Sequence, residues 1–322
     1  MDRSGYCDQG GKPIMSNSKN KDFGSFVLFN VFMLTFFVVM LIIGTFNDEA
    51  IAKTLFSPDN ILIKFVTSLG VYPFFAMSVL FSGALYERVM HSKINKAVKI
   101  TVCILIGLLA TFVGFIGAGS LVDKDSLGSI FPELNRNIPV IIGISVVSIF
   151  PLAYLGFSMA KKTDDGTLAK RIICLLILLA LSYAALQVLK NVFHRPRYRL
   201  AVLGYEGIGF VKWYTPFSGS QDLVEAFAID AGEFRSFPSG HSILSMALVY
   251  ILQSFAWFSP GLRNKRLILG VLGFIFAVII MFTRMILGAH YLSDVSAGAI
   301  IGALLALVYT VIQHRISTFK NA

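Results

Sequence analysis

Three separated stretches of the chain combine cationic side chains, histidines and a carboxylate, the groups that bind and transfer phosphoryl groups. They read K-N-V-F-H-R-P-R-Y at residues 190–198, P-S-G-H at 238–241 and T-R-M-I-L-G-A-H-Y-L-S-D at 283–294. Arginine offers forked donors to an oxyanion and lysine a point charge. A histidine supplies a nucleophile or an acid. Each pattern alone is weak evidence, so their meaning depends on whether the fold brings them together.

The third stretch contains a histidine and a carboxylate at helical spacing. His290 and Asp294 are four residues apart, which places both side chains on one face of a helix. A carboxylate that accepts from the imidazole Nδ1–H selects the tautomer and leaves Nε2 as a nucleophile. We therefore expect Asp294 to orient His290. A surface ion pair would explain an isolated pair equally well, but His241 and the cations favour catalysis.

Three cations are expected at helix ends that face one aqueous compartment: Lys190, Arg197 and Arg284. A charge deep in a bilayer costs at least about 2.5–3.5 kcal/mol, so Arg284, which continues an apolar run, should lie near the surface. Neighbouring cations repel one another unless an anion lies among them, and a phosphate would supply that anion. Arg195 and Arg199 are better explained as side chains that extend to the membrane interface.

The second stretch is expected to begin a helix. Free backbone N–H groups and the positive end of the helix dipole favour an anion there. Gly240 lets the backbone approach it closely, while Ser239 offers a hydroxyl and His241 an acid. A simple helix cap would also explain a Ser-Gly pair before an apolar run. No role is predicted for the remaining histidines, which are His91, His194 and His314.

The composition places these stretches in a polytopic membrane protein with an all-α fold. Of the 322 residues, 56% are hydrophobic and only 14% are charged, whereas soluble domains carry about a quarter charged residues. The mean hydropathy is +0.73. Cys7, Cys103 and Cys174 are far apart, so neither a disulfide framework nor a metal cluster is indicated. We expect no cofactor and no metal.

Eight apolar runs are long enough to cross a bilayer, which takes about 20 residues, and they form the predicted helical bundle. A polar cytoplasmic tail at residues 1–25 precedes them, a polar loop at 190–238 follows the fifth run, and a short cytoplasmic tail ends the chain at 316–322. No cleavable signal peptide is expected. The runs are residues 26–44, 65–86, 100–122, 139–160, 172–189, 239–258, 267–287 and 295–312.

Basic residues predict the orientation of these runs, because cytoplasmic loops carry an excess of lysine and arginine. Most of the 28 lysines and arginines lie in the two tails and in the gaps at residues 87–99, 161–171 and 259–266. Both termini are therefore predicted to be cytoplasmic, and the three chemical stretches to face the outside. The net charge of +10 then reflects cytoplasmic loops, so a nucleic-acid partner is not expected.

The three stretches resemble the signature of the type 2 phosphatidic acid phosphatase family, which shares its active-site design with bacterial acid phosphatases and vanadium haloperoxidases. That signature reads K-x6-R-P, P-S-G-H and S-R-x5-H-x3-D. Lys190 and Arg197 fit the first motif, and residues 238–241 match the second without change. The third motif is fitted by Arg284, His290 and Asp294.

Two positions depart from the signature. Tyr198 replaces the proline that follows the first motif's arginine, and Thr283 replaces the serine of the third motif but keeps its hydroxyl. Arg195 and Pro196 offer a competing R-P pair two residues early. If Arg195 were the motif arginine, only four residues would separate it from Lys190, whereas the signature has six. We therefore assign the motif arginine to Arg197.

The resemblance implies a metal-free, two-step phosphoryl transfer through a phosphohistidine on His290. It implies that Asp294 orients the imidazole and that His241 protonates the leaving oxygen. It also implies a six-helix phosphatase core at residues 100–315, preceded by two extra membrane helices within residues 26–99, to which we assign no function. The residues expected to hold the phosphate are Lys190, Arg197, Ser239, Gly240 and Arg284.

The expected protein is an integral plasma-membrane lipid phosphatase with its active site outside. Its partners would be the bilayer and a lipid phosphate of the undecaprenyl pyrophosphate, phosphatidylglycerophosphate or phosphatidic acid type. Three alternatives stay open: a phosphatase of soluble phosphoesters, a lipid phosphotransferase, and a non-enzymatic phosphate- or lipid-binding membrane protein. The histidines favour an enzyme, because binding alone needs neither a nucleophile nor an acid.

The predicted orientation is tested by labelling intact cells. A cysteine placed near Gln221, in the outer loop, should react with a membrane-impermeant thiol reagent, whereas a cysteine near Asn95, in a cytoplasmic gap, should react only after the membrane is opened. Labelling of the Asn95 position alone in intact cells would show the reverse orientation.

Overall fold

In the computed structural model the chain forms a bundle of α-helices. The structure describes residues 14–319, with side chains from 23 to 318. The described residues contain no β-strand, which confirms the all-α fold class. Their α-helices are α1 Ile14–Leu55, α2 Ile61–Ser68, α3 Tyr72–Met90, α4 Lys96–Val122, α5 Ile138–Lys161, α6 Leu168–Leu189, α7 Tyr198–Ala201, α8 Ser220–Phe227, α9 Gly240–Met246, α10 Leu248–Ser254, α11 Arg266–Ile286 and α12 Leu292–Phe319.

Seven helices of the described residues are long and apolar enough to cross a membrane, which confirms a polytopic bundle. The eighth expected run is also helical, but it is not one continuous helix. The run expected at residues 239–258 is divided into α9, α10 and a 3₁₀ turn at Phe255–Trp257. At the start of α10, Gly273 of α11 packs so closely that an added Cβ would lie 2.5 Å from the Leu248 carbonyl oxygen. Nearly all side chains of α9 and α10 are buried, so this run lies inside the bundle.

Both ends of the chain are more helical than the predicted tails. Residues 1–13 and 320–322 lie outside the described residues. Within the segment 1–25, α1 already begins at Ile14, and within 316–322, α12 continues to Phe319. Polar residues such as lysine and glutamine are good helix formers, so a helix need not stop where its apolar run stops.

The two membrane helices that were expected to precede the phosphatase core, within residues 26–99, pack as integral parts of the bundle. α1 packs along α12 and against α11, while α3 packs between α4 and α5 and also contacts α6. Gly83 of α3 and Gly156 of α5 allow the two backbones to touch, because an added Cβ at either position would collide with a carbonyl of the other helix. Small residues at such contacts are typical of packing in membranes. α4 and α5 thus reach the rest of the bundle mainly through α3.

Large apolar side chains cover the outside of the bundle. Phe46, Val147 and Phe150 are 81%, 75% and 70% exposed, respectively. A soluble protein rarely exposes such extended apolar surface, whereas lipid chains solvate it without cost. The outer face therefore fits contact with a bilayer.

Candidate active site

Backbone hydrogen bonds join the three chemical stretches at one end of the bundle. The Ser239 N–H donates to the Asp294 carbonyl at 3.0 Å, which joins the second stretch to the third. The N–H of Arg199, the residue directly after the first stretch, donates to the Gly288 carbonyl at 3.0 Å and so joins the end of that stretch to the third. The fold therefore brings together residues that are far apart in the sequence.

His290 lies just before α12 and is almost fully buried, with 1% of its surface exposed. Its Nδ1 lies 2.7 Å from the carbonyl oxygen of Ser236. Because a carbonyl only accepts, Nδ1 carries the proton and Nε2 keeps its lone pair. Nε2 is buried and has no hydrogen-bond partner among the described residues. The tautomer that a nucleophile needs is thus selected by the backbone.

The Asp294 carboxylate does not orient His290 directly, as had been expected. Its Oδ2 lies 3.9 Å from Nδ1, too far for a hydrogen bond, because α12 begins only at Leu292 and His290 lies outside the helical spacing. Asp294 instead accepts from the Tyr291 N–H at 2.8 Å, which caps α12, and from the Ser236 hydroxyl at 2.5 Å. It thereby holds the residue whose carbonyl orients His290, and its role in catalysis stays a prediction.

Arg195, which had been expected to extend to the interface, is buried in an ion-pair network. Its Nη1 donates to Asp294 Oδ1 at 2.5 Å, and its Nη2 donates to Asp48 Oδ2 at 2.9 Å. The guanidinium carbon lies 4.0 Å from the centroid of the Tyr291 ring. The expectation failed because Asp48 lies 147 residues earlier in the chain, and no local pattern indicates that contact.

Three guanidinium groups converge on the carboxylate of Asp125, a residue that lies outside the three predicted stretches. Arg197 Nη1 and Arg284 Nη2 donate to Oδ2 at 2.5 Å and 3.1 Å, and Arg199 Nη1 lies 2.8 Å from Oδ1. The loop that follows α4 carries Asp125 to this position. In the structure a carboxylate of the protein relieves the repulsion among these cations, whereas the anion predicted there is a bound phosphate. The Nε atoms of Arg197 and Arg284 are buried without a hydrogen-bond partner.

Lys190 ends α6 beside these arginines. Burial, together with the charges of Arg197 and Arg284, lowers the pKa of Lys190 to about 7. Burial and the same two arginines hold the pKa of His290 well below its usual value, so that its ring is neutral. An added Cβ at Gly240 would lie 3.3 Å from the Lys190 side chain, which places Lys190 against the start of α9.

The second stretch forms the start of α9, as predicted. The Ser239 hydroxyl accepts from the Ser242 N–H at 3.3 Å, so its side chain acts as the helix cap that was the alternative interpretation. His241 follows in the first turn, and its Nε2 is buried without a hydrogen-bond partner among the described residues. The charges of Arg284 and Lys190 both act on His241, which places its ring in the cation cluster.

The departure from the signature at Tyr198 has a local explanation. Arg197 precedes α7, and Tyr198 is the first residue of that short helix, a position at which proline is favoured but not required. The Tyr198 ring packs edge-on against Tyr291 and Phe56, with centroid distances of 6.0 Å and 5.2 Å. The structure brings Arg197, and not Arg195, beside Arg284, which supports the chosen frame.

Glu233 compensates the outer cations of the site. It accepts from Arg199 Nε at 2.8 Å and from Lys124 Nζ at 2.8 Å. Although burial opposes ionisation, the hydrogen bonds from Arg199 and the charge of Arg197 lower the pKa of Glu233 to about 2. Glu233 is therefore ionised at neutral pH and compensates the charges of Arg199 and Lys124.

A cavity of about 220 Å³ opens beside the Asp125 carboxylate. Its walls include Lys64, Lys124, Arg199 and Arg284. An anionic group could reach the arginine cluster through this cationic cavity.

Of the histidines without a predicted role, His91 and His314 make their contacts outside the cluster. His91 Nδ1 is 3.1 Å from Glu87, and the His314 ring stacks on Phe23 with centroids 4.0 Å apart. His194 lies in the loop that carries Arg195, with φ of 48°.

Among the described residues, no group of three histidine, cysteine or acidic residues is arranged to hold a metal ion. Cys103 and Cys174 are free thiols, and Cys7 lies outside the described residues.

A family model described as the PAP2 superfamily matches residues 171–317. This range contains all three chemical stretches, and it confirms the resemblance to the type 2 phosphatidic acid phosphatase family for this part of the chain. The match supports a phosphatase-type membrane protein. It begins later than residue 100, the start of the predicted phosphatase core, so that boundary stays a prediction.

The chain is also 35% identical over 79 residues to an uncharacterized 22.5 kDa protein in the cps region of Klebsiella pneumoniae. The alignment covers 24% of this chain and 36% of that protein, so the chain spans about a third of this relative's length. No solved structure gives a significant match. The substrate must therefore be argued from the chemistry of the site.

The lowered pKa of Lys190 predicts how oxyanion binding depends on pH. Sulfate stays a dianion across the neutral range, so its own charge does not change. Its affinity should be greatest below pH of about 7, where Lys190 is protonated. Because bound sulfate raises the pKa of Lys190, affinity should fall by up to about tenfold per pH unit above that pH. Isothermal titration of the detergent-solubilised protein measures this.

The matched variant for this titration is Lys190→Met. It should bind sulfate more weakly at low pH and should lose most of the pH dependence between pH 6 and 8. An unchanged slope in this variant would show that another group titrates.

Proposed function

We propose that this protein is an integral-membrane phosphatase that removes phosphate from a lipid phosphate or pyrophosphate through a phosphohistidine on His290. One observation carries the proposal: Arg197 and Arg284 already converge on an anionic oxygen, that of Asp125, at 2.5 Å and 3.1 Å. The buried, unpartnered Nε2 atoms of His290 and His241 belong to the same cluster. An oxyanion site with a neutral imidazole nucleophile beside it fits phosphoryl transfer better than binding alone.

In the first step, His290 Nε2 attacks phosphorus in line and forms an N–P bond, while the bond from phosphorus to the leaving oxygen breaks. The Ser236 carbonyl, which accepts from Nδ1–H, stabilises the positive charge that develops on the ring. His241 donates a proton to the leaving oxygen. Lys190, Arg197 and Arg284 hold the equatorial oxygens, where charge is spread in the transition state.

In the second step, a water molecule attacks phosphorus and the N–P bond breaks. His241, which lost its proton in the first step, accepts the proton from this water. Phosphate and the neutral His290 are regenerated. The Gly240 N–H donates to the phosphate. The Ser239 hydroxyl also donates to the phosphate, while its oxygen still accepts from the Ser242 N–H at the start of α9.

The substrate class follows from where the site lies. The cluster is at one end of a bundle whose outer face is apolar, so a phosphate carried by a membrane lipid is already held at this depth. We favour prenyl pyrophosphates, phosphatidylglycerophosphate and phosphatidic acid as the lipids to test. The excess of basic residues in the opposite gaps favours a site outside the plasma membrane and both termini inside.

Replacement of the nucleophile tests the enzymatic proposal. Purified His290→Ala should lose at least about a thousandfold in kcat, because no other group forms the covalent intermediate. Phosphate release is measured from a panel of a prenyl pyrophosphate, phosphatidylglycerophosphate, phosphatidic acid and a sugar phosphate. Vanadate, which mimics the five-coordinate transition state, should inhibit the wild-type protein.

The matched control is His314→Ala, which removes an imidazole from the far end of α12 and should keep wild-type turnover. If His290→Ala released phosphate as fast as the wild type, the phosphohistidine mechanism would be wrong. A wild-type protein that turned over only the sugar phosphate would identify a phosphatase of soluble esters.

Asp125 occupies arginine donors that the phosphate would use, so its removal should favour oxyanion binding. Asp125→Asn keeps the side-chain volume but removes the competing charge, and it should tighten sulfate binding by about threefold or more. Asp59→Asn is the control, because Asp59 lines the same cavity and loses the same charge, but its side chain is 99% exposed. Weaker sulfate binding by Asp125→Asn would show that Asp125 organises the arginines instead of occupying the phosphate position.

A further inference from the structure

Asp48 is a buried carboxylate on α1, outside the region that the family model matches. It is 3% exposed, although it lies close to the end of a long helix. Its Oδ1 accepts from the Ser293 N–H at 2.9 Å, and its Oδ2 accepts from the Ser293 hydroxyl and from Arg195 Nη2, the latter at 2.9 Å. These hydrogen bonds therefore all go to the first and third stretches of the candidate site.

The backbone of α1 is shaped for this contact. Gly44 lies one turn before Asp48, and an added Cβ at Gly44 would lie 2.6 Å from the Ser293 nitrogen. The absence of a side chain thus allows α1 to approach the first turn of α12. This approach lets the short side chain of Asp48 reach Ser293.

A continuous set of hydrogen bonds runs from Asp48 to the proposed nucleophile. Arg195 lies between the two carboxylates, at 2.9 Å from Asp48 and 2.5 Å from Asp294. Asp294 accepts from the Ser236 hydroxyl at 2.5 Å, and the Ser236 carbonyl accepts from His290 Nδ1 at 2.7 Å. Each residue in this set has its orientation restricted by the preceding one.

We propose that Asp48 is a positioning residue for His290, which it holds in the attacking orientation through Arg195 and Asp294. The proposal rests on the proposed phosphatase function and assigns a role to the first membrane helix. Arg195 needs both acceptors, because a buried guanidinium has five donors to satisfy. Without Asp48, the guanidinium shifts toward Asp294 alone, and Asp294 then holds Ser236 less firmly. Hydrogen-bond partners that orient metal-binding histidines are typically worth about ten- to hundredfold in affinity or activity, and we expect an effect of that size here.

The test compares two neighbouring carboxylates of the full-length protein. Asp48→Asn removes the buried charge, and Glu49→Gln removes an exposed charge from the next residue. We expect Asp48→Asn to lower kcat by about ten- to hundredfold, with KM and the sulfate Kd within about threefold of wild type, because the cations that bind phosphate are untouched. Glu49→Gln should retain wild-type values. Asp48→Glu, which keeps the charge, should recover part of kcat.

Coupling to Arg195 distinguishes positioning from general stabilisation. If Asp48 acts through Arg195, the double variant Asp48→Asn/Arg195→Gln should have about the same kcat as Arg195→Gln alone. If the two single-variant losses in kcat multiplied in the double variant, the proposal would be overturned. A kcat of Asp48→Asn equal to that of Glu49→Gln would overturn it too. Loss of a monodisperse folded protein in both Asp48→Asn and Asp48→Glu would assign Asp48 to stability instead. An inactive wild type would reject the phosphatase function, whereas an active wild type with an unaffected Asp48→Asn rejects only this inference.

Discussion

The buried guanidinium of Arg195, held between Asp48 and Asp294, is the interaction on which the arrangement of the site depends. It joins α1, the long loop and the first turn of α12 in one network. Moving charged groups out of water costs several kcal/mol per ion, and only good geometry with further hydrogen bonds offsets that cost. Ser293 and Ser236 supply those hydrogen bonds. In the proposed positioning role, this network serves to fix the arrangement of His290 rather than to add stability.

The second constraint is mutual repulsion among buried cations near the nucleophile, which are Lys190, Arg197 and Arg284. Their mutual repulsion is visible in the pKa of Lys190, which burial and the neighbouring arginines lower to about 7. Asp125 relieves this repulsion in the structure, and Glu233 compensates Arg199. A phosphate group would relieve it in the proposed reaction. In the proposed reaction, the same excess of positive charge that costs stability would supply affinity for an oxyanion.

Helix content could be predicted well, whereas contacts between helices could not. Apolar runs indicated seven of the spans, because the cost of exposing backbone groups to lipid requires helices there. The run at residues 239–258 is helical as expected, but it is divided into α9 and α10, and its apolar composition does not indicate that division. Arg195 was misassigned. An arginine near a membrane interface has the same neighbours in the sequence whether its side chain extends to the interface or forms a buried ion pair.

The sequence by itself determined the polytopic all-α class and the identity of the histidines and cations in the three motifs. Residue types and short spacings specify these features, and they are local. Only the tertiary structure decided that the Ser236 carbonyl orients His290, that Asp125 lies among the arginines, and that the first helix supplies Asp48. These contacts join residues far apart in the chain, and their geometry depends on how helices pack and where α12 begins. The packing of α1 on α12 in particular turned an apparently extra helix into a part of the candidate site.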